Sequence, residues 1–194
     1  MHTLEQRARR FASKAHAACN QRRKYTDEPY IVHPASVVER VRSVCQDEIV
    51  LAAAWLHDTV EDTPTTLADI HHHFGDPVAR LVEMVTNPDT PAGFNRYKRK
   101  QQHFAHTALA CAAAQTIKLA DIIDNTQGIV GFDPHFSRIY LVEKRLQVVG
   151  LIRGDEGLFR QASLTIEQEI ERLTKPPYNI PAAWFLKLAS RYQA

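Results

Sequence analysis

Apolar positions recur along this chain at intervals of three and four, the spacing that lays them on one face of an α-helix. In the first stretch Leu4, Ala8, Phe11, Ala15 and Ala18 form such a stripe, with Arg7, Arg9, Arg10 and Lys14 mostly outside it, which predicts an amphipathic helix. A polar turn from Asn20 to Pro29 leads into Tyr30-Ile-Val-His-Pro34, where the proline suits the first turn of a second helix carrying Val37, Val38, Val41 and Val44. Asp47 is placed to cap a third helix built on the apolar run Ile49 to Leu56. Thr66 caps a short fourth, and Asp76 as N-cap with Pro77 at the first helical position opens a fifth, facing inward with Val78, Leu81, Val82 and Val85.

Two prolines and a glycine between Asn87 and Gly93 break the pattern before a basic helix from Asn95 to Leu109. Ala110 to Val130 reads as one further helix, Gly131 to Pro134 as a turn, and 135–151 and 155–174 as two more helices, the last stopped by Pro176-Pro177. A tail helix over 181–191 offers Trp184, Phe185 and Leu188 as its apolar face. No alternating run of useful length predicts a strand, and neither an internal repeat nor a low-complexity linker is present. These elements predict an all-α fold: one domain of about nine to ten helices over residues 1–175, and a tail over 176–194 packed on that domain or on a partner subunit.

Composition narrows the picture. A chain of 194 residues buries about two-thirds of its unfolded surface and needs no covalent staple. Cys19, Cys45 and Cys111 are odd in number and widely spaced, so they read as small buried hydrophobes in a reducing compartment, which points to the cytoplasm. No apolar run approaches the roughly 18 residues of a membrane span, and no leader pattern opens the chain, so no membrane partner is expected. A formal net charge of +2 gives no ground for a nucleic-acid partner; any cationic function is local. Nothing in the pattern decides against or for a homo-oligomer.

The chemistry gathers at WLHDTVED, residues 55–62. In a continuous helix Asp58 would neighbour Glu61 and Asp62 at i+3 and i+4, and His57 would neighbour Glu61 at i+4. Carboxylates at a helix C-terminus are unfavourable unless a cation compensates them. His33, just before Pro34, and Asp121, a polar break in the apolar face of Thr116 to Ile123, supply the rest of a site. His33, His57, Asp58 and Asp121 make a mixed nitrogen and oxygen set suited to one Mn²⁺, Fe²⁺ or Zn²⁺ ion, with octahedral positions left for water and substrate. His71-His72-His73 resembles a metal tract, but consecutive helical residues point about 100° apart and cannot chelate one ion, so it is expected on the surface. His16, His103, His106 and His135 have no partner at a telling spacing and are read as structural.

These residues carry a resemblance. His33, His57-Asp58 and Asp121 in an all-α chain resemble the HD phosphohydrolase superfamily. More narrowly, Arg23-Lys24, EPYIVHP (28–34), LHDTVEDT (56–63), HFGDPVARLVEMVT (73–86) and IKLADIIDN (117–125) resemble the hydrolase domain of RelA/SpoT-type proteins over about residues 5–150. The chain is similar to the small stand-alone alarmone hydrolases, with no room for a synthetase or regulatory domain. The resemblance implies an Mn²⁺-dependent enzyme that removes pyrophosphate from the 3′ position of guanosine tetra- and pentaphosphate, yielding GDP or GTP.

It also implies residue roles. Glu61 and Asp62 would orient or deprotonate the attacking water and manage the leaving-group proton. Arg23 and Lys24 would meet the guanosine end, Arg96 or Lys98 the phosphates, and Asn125, one turn after Asp121, would reach substrate as a neutral hydrogen-bonding group. Tyr140, in FSRIYLVEK, is a further candidate contact, set against a reading as half-buried core. Long relatives carry a basic residue just after the KLAD aspartate, whereas here Asp121 is followed by Ile-Ile-Asp-Asn-Thr-Gln-Gly. Two alternatives therefore accompany the alarmone reading: a phosphohydrolase for another nucleotide, such as a nucleoside polyphosphate or a phosphorylated dinucleotide like NADPH, and a non-catalytic nucleotide-binding protein.

Overall fold

The computed structural model describes residues 2–192. Met1, Gln193 and Ala194, the outermost residues of the two expected segments, lie outside the described residues. The element order is α1 (Leu4–Ala18), α2 (Val32–Arg42), α3 (Glu48–Leu56), α4 (Thr59–Asp62), α5 (Leu67–Phe74), α6 (Asp76–Val85), α7 (Arg96–Leu109), α8 (Ala112–Thr126), α9 (Ile129–Phe132), α10 (Pro134–Val148), α11 (Glu156–Thr174) and α12 (Ala182–Ser190). Among the described residues the only β feature is an isolated bridge between Arg22 and Pro29. The fold is all-α.

Two helices are buried on every side, and the rest pack around them. In α3 every residue from Val50 to Leu56 is buried, because nothing after Glu48 is charged and three alanines let α1, α2 and α6 approach closely. In α8 the buried run extends from Ala114 to Ile123, with α2, α6 and α11 against it. The C-terminal end of α3, the first turn of α2 and the middle of α8 thus meet in the interior. The tail helix α12 seats on α10 through buried Phe185 and Leu188, and Tyr192 beyond it is buried as well.

Several boundaries differ from expectation for local reasons. WLHDTVED is not one helix: α3 ends at Leu56 and α4 begins at Thr59, whose hydroxyl donates to the Leu56 carbonyl at 2.7 Å. The expected helix through Val130 stops at Thr126, because Gly128 takes φ +75°, and Gly131 belongs to the short α9 rather than to a turn. At α6 the cap is Gly75, at φ +84°, and Asp76 is already helical. Asp47 and Thr66 cap as expected, accepting from Ile49 and Asp69, and Asn95, expected inside its helix, is the N-cap, accepting from Lys98. In α1 the buried positions are Ala8, Ala12 and His16, while Ala18 is exposed. Val44 lies past α2 and is exposed, Cys19 is exposed, and Cys45 and Cys111 are half-buried, so none of these forms the core. The three consecutive histidines are exposed.

The loop between α10 and α11 is clamped to α8 by Arg153 N–H donating to Gln115 Oε1 at 2.8 Å and Asp155 N–H donating to Thr116 Oγ1 at 3.0 Å. Gly154 between them has no room for a side chain: a Cβ would stand 2.6 Å from Leu119 Cδ1 and 3.1 and 3.2 Å from backbone atoms of Gln115 and Thr116. Gly154→Ala therefore pushes α11 off α8 and costs about 1–3 kcal/mol, read as a lower Tm in thermal unfolding. An unchanged Tm would show that the loop yields freely.

Candidate metal centre

His33 enters the interior from the first turn of α2, His57 and Asp58 from the break between α3 and α4, and Asp121 from the middle of α8. His33, His57 and Asp121 are buried and Asp58 nearly so. Their inner atoms converge. His57 Nε2 lies 3.1 Å from Asp58 Oδ2, 3.3 Å from His33 Nε2 and 3.9 Å from Asp121 Oδ1. His33 Nε2 lies 3.4 Å from Asp58 Oδ2 and 3.3 Å from Asp121 Oδ1. An ion with ligands at about 2.1 Å separates adjacent donors by about 3.0 Å in octahedral and 3.4 Å in tetrahedral coordination. His33, His57 and Asp58 together have the dimensions of such a shell, and Asp121 Oδ1 stands at its edge, 3.3 and 3.9 Å from the two imidazoles.

The outer contacts of the imidazoles support the same reading. His57 Nδ1 donates to the Ala54 carbonyl at 2.9 Å, and His33 Nδ1 donates to Asp124 Oδ2 at 2.6 Å. Both acceptors lack hydrogens, so both neutral rings carry their proton on Nδ1 and turn bare Nε2 lone pairs toward each other across 3.3 Å. Such a pair repels unless a cation lies between. Asp124 is itself held by Ser36 Oγ at 2.5 Å and Arg23 Nη2 at 3.3 Å, giving the carboxylate–histidine arrangement that orients metal ligands. Tyr30 Oη donates to Asp58 Oδ2 at 2.6 Å. Asp121 Oδ1 accepts from Asn125 at 2.5 Å, and its Oδ2 pairs with the buried Lys118 ammonium at 3.0 Å.

The electrostatics select a cation. Burial by itself lowers the His33 pKa, but hydrogen bonds with Asp121, Asp124 and Asp58 outweigh it and push the ring up to about 11. Burial likewise raises Asp58, yet His57 and His33 hold it well below the usual carboxylate range. Groups that retain a proton on a buried imidazole this strongly stabilise any positive charge placed among them.

The other candidates divide. Asp62 and Glu61 sit on the single turn α4 directly after Asp58, but their carboxylates diverge. Asp62 accepts from Gln21 Nε2 at 2.8 Å, whereas Glu61 accepts from the Asn87 backbone N–H at 2.7 Å and its side-chain amide at 2.9 Å. Burial and the Asp58 charge raise the Asp62 carboxyl. A cleft of about 330 Å³ opens beside the metal centre, lined by Arg23, Lys24, Tyr25, Asn125, Phe136 and Tyr140. Tyr30 and Asp124, which hold Asp58 and His33, also line it, so cleft and centre share a wall. Arg23 donates to Asn125 Oδ1 at 3.0 Å, and Lys24 stands 4.8 and 4.9 Å from the ring centroids of Tyr25 and Phe136.

The cations of α7 fall elsewhere. Arg96 makes a paired contact with the buried Glu143 carboxylate at 2.6 and 2.9 Å, and Lys98 is exposed, 5.9 Å from the Phe94 ring; neither lines the cleft. The reason is helical geometry: Arg96 and Lys100, at i and i+4, share the face toward Glu143, which turns Lys98 away from it. Asp124, Lys118 and Tyr30 were not singled out in the sequence, although each lies three residues from a metal-facing residue and a helical wheel or turn reading would have marked it. Gln21 carried no such signal.

The HD domain family profile matches residues 8–130, a span that contains His33, His57, Asp58 and Asp121. The chain belongs to the HD domain family. It is 36% identical over 165 residues to the mouse guanosine-3′,5′-bis(diphosphate) 3′-pyrophosphohydrolase MESH1, covering 81% of this chain and 88% of that protein. The human protein of the same name is 36% identical over 172 residues, covering 80% and 93%. The guanosine-3′,5′-bis(diphosphate) 3′-pyrophosphohydrolase of Aquifex aeolicus is 40% identical over 126 residues, 63% of this chain but only 17% of that much longer protein. Among solved structures, a metazoan ortholog of SpoT that hydrolyses ppGpp superposes with a TM-score of 0.72 at 28% identity, over 89% of this chain and 96% of that one.

In this HD domain the ligand assignment has a graded consequence. Asp58→Ala and Asp121→Ala each remove a charged donor that imidazoles cannot replace, so both lose stoichiometric metal. Asp124→Asn leaves the donors in place but releases His33, and weakens metal affinity about 10- to 100-fold. Elemental analysis and chelator competition distinguish the two classes; full metal content in Asp58→Ala would refute the assignment.

Proposed function

We propose that this chain is a cytoplasmic, Mn²⁺-dependent hydrolase that removes the 3′-pyrophosphate from guanosine 3′,5′-bis(diphosphate), giving GDP, or GTP from the pentaphosphate, and free pyrophosphate. The observation that carries the reading is the shared wall between a two-histidine, two-carboxylate centre and a cleft that combines cations with aromatic rings. A nucleoside polyphosphate is the class of ligand that needs both. The names of the mouse, human and Aquifex relatives agree with it. Three free cysteines among the described residues, and the lack of any helix there long and apolar enough to cross a membrane, are consistent with the proposed compartment.

A bound divalent ion would supply Lewis-acid polarisation of a phosphoryl oxygen and an acidified water. The residues of the chain do the rest. Arg23 presents a planar guanidinium, backed by Asn125 and Asp124, on which a purine stacks; Lys24 adds a point charge at the rim. Tyr25, Phe136 and Tyr140 exclude water around the base. Glu61 and Asp62 together take the proton from the attacking water and deliver one to the departing 3′ oxygen, so that the phosphorus–oxygen bond to the ribose breaks as the new one forms. Hydrogen bonds from Asn87 and Gln21 hold the two carboxylates in place without screening them fully.

The direct test is a nucleotide panel incubated with purified protein and Mn²⁺ and resolved by product chromatography. GDP and pyrophosphate from guanosine tetraphosphate are expected; orthophosphate release from other nucleotides in preference would overturn the substrate assignment. Glu61→Gln with Asp62→Asn keeps fold and metal but lowers kcat about 10²- to 10⁴-fold, since amides preserve shape and cannot carry protons. Arg23→Ala lowers kcat/KM roughly five- to hundredfold on guanosine tetraphosphate, chiefly through KM, and less on a generic phosphoester without a base. Equal losses on the two substrates would return Arg23 to a structural role.

A further inference from the structure

On the Oδ2 side of Asp121 lies a group of ammonium side chains that the reaction described above leaves unused. Lys118 pairs with Asp121 Oδ2 at 3.0 Å and reaches the Val85 carbonyl at 3.5 Å. Lys100 lies 4.0 Å from Glu143, a carboxylate already engaged by Arg96 and by the Tyr192 hydroxyl at 2.6 Å. Lys144, on α10, donates to Gln147 Oε1 at 3.0 Å and stands 5.2 Å from the centroid of the Tyr140 ring. Among the described residues no carboxylate lies within 4.0 Å of the Lys144 ammonium.

Charge matching isolates Lys144. Glu143 is neutralised by Arg96, and Asp121 by Lys118, its other oxygen facing His33. Lys144 is left with an amide and a ring, and the charges acting on it from further off are Lys118 and Lys100, which repel it, and Asp121 and Glu143, which attract it. Burial and Lys118 bring its pKa down to about 8, so at neutral pH the ammonium persists without a counter-ion. An unpaired charge half-withdrawn from water in this way is costly, and a multivalent anion entering beside it removes the cost. Tyr140 supplies the direction. Its side chain lines the cleft, and Lys144 lies over its ring, so the tyrosine stands between the aromatic nucleoside cleft and the lysine group.

We propose that Lys144, flanked by Lys118 and Lys100, forms a pyrophosphate subsite that holds the distal phosphate of the group being released. The inference rests on the pyrophosphohydrolase reading for its substrate, but the subsite is defined by an anion rather than by turnover. Lysines suit it: a leaving group reorients as its bond breaks, and point charges follow it where a rigid guanidinium fork does not. The subsite would share or take the phosphate role that the sequence suggested for Arg96 or Lys98, of which Arg96 pairs with Glu143 and Lys98 is exposed.

Calorimetric titration of the Mn²⁺-loaded protein with pyrophosphate and, separately, with GDP tests this. In Lys144→Met the affinity for pyrophosphate is expected to fall at least tenfold while that for GDP stays within twofold. Equal affinity of variant and wild type for pyrophosphate overturns the subsite, as does an equal loss for both ligands, which marks a structural defect. The wild type gives a second reading that needs no variant: the ¹³Cε resonance of Lys144 should move with pyrophosphate and stay with GDP, and a resonance indifferent to pyrophosphate also overturns the proposal. If the wild type fails to hydrolyse guanosine tetraphosphate yet binds pyrophosphate through Lys144, the substrate assignment falls and the subsite stands.

Discussion

Two δ-protonated imidazoles and two carboxylates brought within a few ångströms of one another in the interior are the constraint on which the rest of this molecule depends. Desolvated groups of this kind are costly to bury without a partner, because bare imidazole lone pairs repel each other and so do carboxylates. The arrangement is tolerable with a cation at its centre and with its side chains held from outside. The surroundings meet the second requirement: Ala54 and Asp124 hold the two imidazoles, Tyr30 and Asn125 donate to Asp58 and Asp121, and Lys118 pairs with the other oxygen of Asp121. The break between α3 and α4 belongs to the same solution. A helix continuing through His57 would fix the directions of both residues by its own pitch; ending it at Leu56 lets His57 and Asp58 point into one space from adjacent positions.

That centre divides the groups around it by charge and polarity. On one side Arg23, Lys24 and several rings form a cleft with room for a base. On the other, α7, α8 and α10 contribute Lys100, Lys118 and Lys144, with Glu143 beside Lys100 and Asp121 paired to Lys118. Glu143 also ties the end of the chain to this region, since the Tyr192 hydroxyl donates to it and Tyr192 packs edge-on against Tyr97 at 4.9 Å. The tail is thereby part of the support for the helix that carries Arg96 and Lys100, and its stability bears on the site even though none of its residues approaches the ligands.

Much of this was legible before folding was considered. The stripes on α1, α2 and α6, the caps Asp47 and Thr66, and the separation of His33, His57-Asp58 and Asp121 by apolar stretches are local signals, and local signals survive in a one-dimensional pattern. What was misread depended on backbone choices the pattern does not encode. The helix end at Thr126 follows from a left-handed Gly128, the end at Leu56 from ligands that must converge, and the burial of His16 in place of Ala18 from the rotation of α1 against α3.

By itself the sequence determined the all-α class, the residue types able to hold a metal, and which short motifs carry chemistry, because hydrophobic period and donor chemistry are properties of neighbours in the chain. Only the tertiary structure decided partnership. It assigned Asp124 to His33, Tyr30 to Asp58 and Gln21 to Asp62, engaged Arg96 with Glu143, and turned Lys98 outward while leaving Lys144 without a counter-ion. Ion pairs and hydrogen bonds act over a few ångströms, and between residues tens of positions apart that distance is set by how helices pack, which no local pattern records.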